Sequence, residues 1–513
     1  MQHTPVLIVG GSLVGLSASL FLAWRGVPHI LVEKHAGSAL HPRAMGFTET
    51  TMEHYRAVGI ADRIAQAPRD ARLRRVKLAS LCADWIAETD WTPGQPAGRS
   101  SALSPCSGAA IAQDKLEPIL RQAALELGAD LRYGVELLAF EHGKDGVTAR
   151  LRDRDGGIDT TIGADYLIAA DGAASGVRQR LGIGRSGVGY LKTLRSVLFH
   201  CPQADRYLAR GAQQFEIEQD GLRAFLTTYG DSRWVLMLDE SAEHAAIDFP
   251  AAVRRALGAD MPFEIITTGQ WDMAGLIADR YSDGRVFLAG DAAHQLPPTR
   301  GGFGANTGID DAWNLAWKLE RVVAGAAEPT LLDSYGAERH AIGRLRHQQT
   351  FSRPDYARWV GDDFTPDDLF SDDAMEFGQL IRSSQVAGAP PSLPAAATPD
   401  QWRGQPGTRA PHVWIMKDGV RISTLDLFGR DFVLLIAKAA WRTEIATLAP
   451  VVIQVGVDIA FPAEAAFGEV FGVGPLGAVL VRPDGIVAWR SDALFDDGAV
   501  EAVRGLIGAL KRA

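Results

Sequence analysis

Two glycine-rich turns, each set between an apolar strand and a helix, constrain this chain more than any other feature. The first is Gly10-Gly11-Ser12-Leu13-Val14-Gly15, which follows Val6-Leu7-Ile8-Val9 and leads into an apolar segment reaching about Arg25. The second lies within Arg285–Leu319. It reads as a buried strand Val286–Ala289, the acidic turn Gly290-Asp291, a Pro297-Pro298 corner, the glycines Gly301, Gly302 and Gly304, and a helix from about Thr307. Strand, glycine-rich loop and helix N-terminus suit a phosphate- or carbonyl-bearing ligand, because free N–H groups and the positive helix end converge there. Two such turns, distant in sequence, can grip one large ligand, which is a narrower reading than either turn supports alone.

Beyond Gly26, His29-Ile30-Leu31-Val32 forms a second strand ending at Glu33, eighteen residues past Gly15. A dinucleotide-binding βαβ unit places an acidic residue about 20 residues on, to bond ribose hydroxyls. Ser12 stands where the pattern has its middle glycine, a position at which a small side chain still lets a pyrophosphate approach. The alternative is an ordinary strand–helix turn, and the register of strand, helix and Glu33 argues against it. Arg43 follows in His41-Pro42-Arg43-Ala44. It is either a forked donor to a pyrophosphate or a solvated surface arginine. Pro5–Trp24 contains no charged residue, but no Lys or Arg precedes it and Gly10, Gly11 and Gly15 interrupt it. A strand and helix explain it better than a signal peptide or a membrane span.

With 513 residues the chain is expected to form roughly two to four domains. A net charge of −10 without a basic tail argues against nucleic acid and anionic membranes as partners. Its three cysteines, Cys82, Cys106 and Cys201, show no metal-ligand spacing and fit a reducing cytoplasm.

Gln113 opens a helix expected to reach Leu127. Asp165–Ala170 reads as a buried strand closing on Asp171-Gly172, with Arg178 nearby; alone, Asp-Gly after a strand is an ordinary turn. Short strand-like runs between Gly187 and Arg280, separated by Asp220-Gly221 and Gly230-Asp231, predict an inserted, largely antiparallel sheet that could roof an apolar pocket. In the second turn, Asp291 can accept hydrogen bonds from sugar-alcohol hydroxyls. Asn306 and Thr307 can cap the following helix, whose apolar face includes Ile309, Trp313, Ala316 and Trp317. His294 invites a catalytic reading, but a structural histidine is the better one.

Together, Gly10–Gly15 with Glu33, Asp171-Gly172 with Arg178, and Gly290-Asp291 with Pro297-Pro298 and Gly301–Asn306 resemble the single-component (class A) FAD-dependent aromatic hydroxylases, in the aromatic-polyketide and phenol hydroxylase branch. The resemblance implies an α/β fold with three parts. These are a Rossmann-like FAD-binding domain of the GR2 type, as in p-hydroxybenzoate hydroxylase, an inserted β-sheet substrate domain, and a C-terminal thioredoxin-like domain. The expected boundaries are 1–182 and 281–383 for the FAD-binding parts, 183–280 for the sheet, 384–400 for a linker and 401–513 for the C-terminal domain.

By the same resemblance, Gly10, Ser12, Leu13, Val14 and Gly15 hold the ADP half of FAD. Glu33 and its neighbour Lys34 lie at the adenosine ribose, and Arg43 and Gln113 contact the cofactor. Asp171 belongs to a motif tied to FAD and NAD(P)H. Gly290 and Asp291 approach the ribitol, Pro298 lies near the oxygen-bearing flavin carbon, and Gly301, Gly302, Gly304, Ala305 and Asn306 face the pyrimidine edge. Arg300 adds a residue to the usual spacing of this loop.

The implied activity is a monooxygenase that consumes NAD(P)H and O2 and hydroxylates a phenolic or polycyclic aromatic through a flavin C4a-hydroperoxide. Baeyer–Villiger insertion uses the same chemistry, and a flavin protein that only shields an unstable intermediate is the non-enzymatic rival. A flavin halogenase lacks its Trp-x-Trp-x-Ile-Pro segment here. A cytoplasmic monomer or homodimer is expected, with no metal. The base that would deprotonate a phenol has no candidate in the sequence.

Ser384–Asp400, rich in Pro and Ala, reads as a linker. Buried-strand runs at Phe432–Ile436, Val451–Val455 and Ala478–Val481 follow, and Arg482-Pro483-Asp484-Gly485 turns into Ile486–Trp489. This part resembles the thioredoxin-like tail of the same branch. With no cysteine after Cys201 it cannot perform thiol–disulfide chemistry, so a packing role is expected.

Overall fold

The computed structural model of the chain describes residues 1–38, 41, 44–69, 74–89, 102–239, 247–298, 303–445, 451–462, 466–492 and 497–507. The first layer grows from the apolar run Val6–Val9. In chain order it comprises β1 (Gln2–Val9), α1 (Leu13–Trp24), β2 (His29–Glu33), α2 (Glu49–Ala57), α3 (Gln113–Glu126), β3 (Asp130–Tyr133) and β4 (Asp159–Ala169). The strands β3, β2, β1 and β4 lie side by side in that order and parallel, and Val286–Leu288 continues the sheet beyond β4. Val6, Leu7, Ile8, Leu31 and Leu167 are wholly buried, as expected of strands covered on both faces.

The second layer is an eight-stranded sheet built around β5 (Arg185–His200) and β6 (Glu264–Ala278), which pair antiparallel along most of their length. Strands Gln214–Gln219, Leu222–Gly230 and Arg233–Asp239 join as hairpins at Asp220-Gly221 and Asp231-Ser232. The sheet draws on more of the chain than residues 183–280. Arg75–Leu78 pairs parallel with Gln214–Gln219, and Trp85–Thr89 forms the edge beyond it. Alternation along Trp234–Met237 sorts its side chains. Trp234 and Leu236 join a core with Phe199 and Val253 on one face, while Val235 and Met237 meet Leu198, Tyr229, Met45 and Ala112 on the other.

The chain then returns to the first sheet through β6 into β7 (Val286–Leu288), followed by the long helices α4 (Phe303–Val323) and α5 (Asp333–Phe351). Ile309, Ala316 and Trp317 on α4 are buried, as their spacing requires. Helix α4 begins at Phe303, not near Thr307. Asn306 and Thr307 are therefore helical rather than caps, and the Thr307 hydroxyl bonds the Phe303 carbonyl one turn back.

The C-terminal sheet has the order Val451–Gln454, Val433–Ile436, Ala478–Val481, Val487–Ser491; its first pair is parallel and the others antiparallel. A βαβ unit followed by a hairpin and the helix Asp497–Ile507 is consistent with the expected thioredoxin-like arrangement. Around it, Gln379 bridges Ala396, and Ala387 packs on the C-terminal core, so the Pro- and Ala-rich segment lies against the protein. No helix among the described residues is long and apolar enough to cross a membrane.

Candidate functional site

Three parallel strands deliver the turns of the site. The ends of β1, β4 and β7 are hydrogen-bonded in a row: Ala170 N–H donates to Val9 O at 2.8 Å, and Ala289 N–H to Ala169 O at 2.9 Å. Each strand therefore opens at one level, into Gly10, Asp171 and Gly290 respectively. The carboxyl edge of a parallel sheet is where α/β folds bind their ligands.

The glycines in these turns are needed for close approach. Gly10 has φ +107°, and a Cβ there would collide with the Ala170 carbonyl; one at Gly15 would strike the Gly10 carbonyl. A Cβ at Gly290, itself at φ +60°, would lie 2.8 Å from Val14 Cγ2, and one at Gly308 would meet the same methyl. Val14 is thus a wedge from the first glycine turn, seated between the second turn and α4. This contact makes one site of two segments that are distant in sequence.

Glu33 ends β2 with its carboxylate turned back on the first turn. Its Oε2 accepts Gly11 N–H at 2.7 Å, and its Oε1 accepts His35 N–H at 2.9 Å. Lys34 is exposed, and its carbonyl accepts Arg154 Nη1 at 3.1 Å. Gln113, the first residue of α3, reaches the same turn, donating from Nε2 to Ser12 Oγ at 2.9 Å and to Glu117 Oε1 at 2.8 Å. Ser12 Oγ donates to Glu117 Oε1 at 2.7 Å, and the Glu117 side chain is buried.

Asp171 accepts Val177 N–H on Oδ2 at 3.1 Å, while its Oδ1 is buried and has no hydrogen-bond partner among the described residues. Buried acceptors are rarely left so, and an unmet acceptor in this turn suits a donor from a ligand. Arg178 ties the Asp171 turn to the second one, donating to Ala173 O and Ala292 O at 2.9 Å each. Asp291 is exposed in the short turn Gly290–Ala292, and Pro298 is exposed with its carbonyl held by Tyr356 Oη at 3.1 Å.

Gly304, Ala305 and Asn306 form the first turn of α4. The Asn306 side chain is committed elsewhere: Oδ1 accepts Thr48 N–H at 3.1 Å and Thr51 Oγ1 at 2.7 Å, and Nδ2 donates to Gly46 O at 3.2 Å. It anchors the start of α2 and leaves only its backbone to face a ligand. Arg43, Gly301 and Gly302, with Arg300, lie outside the described residues.

His294 is fully buried. Its Nε2 lies 2.7 Å from Asp311 Oδ2, which also accepts Gly290 N–H at 3.1 Å, while Arg339 Nε donates to Asp311 Oδ1 at 2.7 Å. Burial pushes the Asp311 carboxyl up, but His294 and Arg339 overcome it and hold it below the usual carboxylate range. The histidine supports the Gly290 turn from behind, as a structural residue does. Glu117, Asp311 and Arg339 escaped the sequence reading. Only Glu117 left a signal, four residues beyond Gln113 on the same helical face.

These features fit an extended dinucleotide: a glycine cradle that admits no Cβ, an acid on the second strand, an orphaned acceptor at Asp171, and a second helix N-terminus reached through Val14. They define a flavoprotein of the Rossmann-like, two-segment kind. The chain matches the FAD binding domain family over residues 3–350 and the aromatic-ring hydroxylase C-terminal family over residues 403–511. It is 39% identical to tetracenomycin B2 monooxygenase-dioxygenase of Streptomyces olivaceus over 525 residues, covering 96% of each chain. It is 37% identical to 4-methyl-5-nitrocatechol 5-monooxygenase of a Burkholderia species, covering 96% of this chain and 95% of that one. The solved structure of aklavinone-11 hydroxylase with FAD and aklavinone superposes with a TM-score of 0.86 at 32% identity, covering 99% of both chains. The chain belongs to the FAD-dependent aromatic-ring hydroxylases, which are flavoprotein monooxygenases, and FAD is its cofactor.

Proposed function

We propose that this protein hydroxylates a phenolic, polycyclic aromatic molecule, consuming NAD(P)H and O2, with FAD spread across both glycine turns. The observation that supports this most is the Val14 wedge between Gly290 and Gly308, which joins a dinucleotide turn to a second ligand-facing helix end. In this reading the N–H groups at Ser12–Gly15 meet the diphosphate, and Glu33 lies at the adenosine ribose with Lys34 at its rim. Gln113 and Arg43 contact the cofactor, and Asp171 and Asp291 accept hydrogen bonds from its hydroxyl-bearing middle. Gly290 lets the backbone approach. The first turn of α4, with Gly301, Gly302, Gly304, Ala305 and the Asn306 backbone, turns N–H groups and a positive helix end toward the electron-rich carbonyl edge of the ring system. Pro298 has no N–H and presents an apolar edge beside it.

Reduced by NAD(P)H, the bound flavin supplies the activation of O2. The chain's own contribution is orientation and exclusion of water. Met45, Ala112, Leu198, Tyr229, Val235 and Met237 form an apolar cluster where the second sheet meets the cofactor segment; Leu198 and Val235 are wholly buried, Met45 and Met237 are half-buried, and Ala112 is adjacent to Gln113. A flat aromatic substrate against the half-buried methionines loses water and gains dispersion contact without a charged anchor. Relatives named for tetracenomycin B2, aklavinone and 4-methyl-5-nitrocatechol all support an aromatic substrate, and the polycyclic reading rests on the first two. The protein works as a monomer or homodimer.

The test uses purified protein reconstituted with FAD. NAD(P)H oxidation is followed with a panel of fused-ring phenols, and products are analysed for incorporation of labelled oxygen from O2. Substrate-dependent NAD(P)H loss with one oxygen atom gained per product is the expected result. Protein that shows no flavin absorbance after FAD addition, or consumes NAD(P)H without oxygenating any phenol, refutes the reading.

A further inference from the structure

Ser12 is the N-cap residue of α1, with extended backbone at φ −94°, yet its side chain makes no capping hydrogen bond. This is unusual chemistry for a serine in that position. An N-cap hydroxyl normally accepts an N–H from the second or third helical residue and satisfies one of the four orphan donors of the first turn. Here the hydroxyl is turned away. It donates to Glu117 Oε1 at 2.7 Å, and its oxygen is engaged by Gln113 Nε2 at 2.9 Å. Gln113 is itself fixed on Glu117 at 2.8 Å. The three side chains form a closed triangle, with the buried Glu117 as the acceptor shared by the other two.

The triangle has an electrostatic cost. A carboxylate side chain buried beside a turn that receives a diphosphate repels the ligand. A residue with that cost must do something that an apolar residue could not.

We propose that Glu117 is a positioning residue that keeps Ser12 from capping its own helix, so that the first-turn N–H groups of α1 stay available to the FAD diphosphate. The proposal rests on the reading that the Gly10–Gly15 turn holds FAD. It explains how serine is tolerated at a position where the dinucleotide pattern has glycine. Glycine has no hydroxyl to compete with the ligand; serine does, and Glu117 with Gln113 removes that competition. Glu117 touches neither the cofactor nor the reacting atoms, and acts through Ser12.

The experiment is FAD binding to the full-length apoprotein, read by the change in flavin fluorescence on titration. In Glu117→Ala the freed Ser12 hydroxyl rotates onto the helix end, and FAD binding weakens about five- to tenfold, the scale of a typical N-cap interaction. Glu117→Gln keeps an oxygen that accepts from both Ser12 and Gln113, and binding stays within about twofold of the parent. The decisive variant is Ser12→Gly/Glu117→Ala, compared with Ser12→Gly alone. With no hydroxyl to restrain, loss of Glu117 has a markedly smaller effect than in the serine background. Circular dichroism verifies folding, and if Glu117→Ala does not fold, Glu117→Met fills the space without accepting the hydroxyl and takes its place.

A Glu117→Ala protein that binds FAD as tightly as the parent, or a loss of equal size in the parent and in the Ser12→Gly background, overturns the proposal while the parent's own binding upholds the FAD site. A parent apoprotein that does not take up FAD overturns the underlying reading itself.

Discussion

Replacing Arg482 by methionine is expected to be the most destabilising single change at the junction between the C-terminal domain and the FAD-binding segments. Arg482, Glu338 and Lys318 are all fully buried. Arg482 donates to Glu338 Oε1 at 2.6 Å and Oε2 at 3.0 Å, and from Nε to Asp484 Oδ1 at 3.0 Å. Glu338 also accepts Lys318 Nζ at 2.9 Å, Asn314 Nδ2 at 2.8 Å and Ser383 Oγ at 2.6 Å. Burial alone would push the Glu338 carboxyl up; Arg482 and Lys318 overcome that and hold it far below the usual carboxylate range. Methionine keeps much of the arginine stem's volume but leaves two carboxylates against one ammonium. Truncating one partner of a buried pair costs about 3–5 kcal/mol. With an unfolding entropy of about 2 cal/mol/K per residue, a chain of this length shifts by about 1 °C per kcal/mol, so the thermal midpoint falls by roughly 3–5 °C. Adding Glu338→Gln rebalances the charge and recovers a substantial part of the loss. The assay is calorimetric or fluorescence-monitored unfolding of the reconstituted protein. An Arg482→Met midpoint within a degree or two of the parent, or a double variant no better than the single, refutes the argument that charge imbalance drives the effect.

Gly15→Ala places a methyl against the Gly10 carbonyl; FAD affinity, measured by equilibrium dialysis, should fall by at least about tenfold, or 1.4 kcal/mol. His294→Gln, which loosens the Gly290 support through Asp311, should lower the thermal midpoint and flavin retention without moving the pH profile of turnover. A displaced pH–rate limb would instead assign the histidine a proton-transfer role. Burial, and then Arg409, push His412 down to about 4 from an ordinary 6.5. A depressed folded value means that its stabilising contribution is complete above 6.5 and is lost as pH falls from 6.5 through 4. His412→Gln should flatten the stability–pH curve in that window, and an unchanged acid limb would count against it.

What was legible in the sequence follows contact distance. Gly10, Gly15 and Glu33 belong to one continuous βαβ unit, so their glycine spacing and strand pattern were sufficient to place them. The hairpins at Asp220-Gly221 and near Asp231 were legible for the same reason. Strands Arg75–Leu78 and Trp85–Thr89 were not, because the partner that orders them, Gln214–Gln219, arrives far later in the chain. Asn306 has the side chain of a cap but does not act as one. Its amide is instead claimed by Gly46, Thr48 and Thr51, a contact that only the folded arrangement of α2 and α4 creates.

The division of the site follows the same logic. The residues that distinguish this chain from a generic dinucleotide fold lie where remote segments touch. Val14 belongs to the first turn by sequence, yet its methyl sets the space available to Gly290 and Gly308. Arg178 belongs to the Asp171 turn, yet holds Ala292. Glu117 belongs to α3, yet determines where the Ser12 hydroxyl points. Each couples the placement of one turn to another, so the two halves of the FAD site cannot be adjusted independently. A substitution in either half is therefore expected to act on the whole cofactor, and double variants of Val14 and Arg178 should be non-additive because both bear on the Gly290–Ala292 turn.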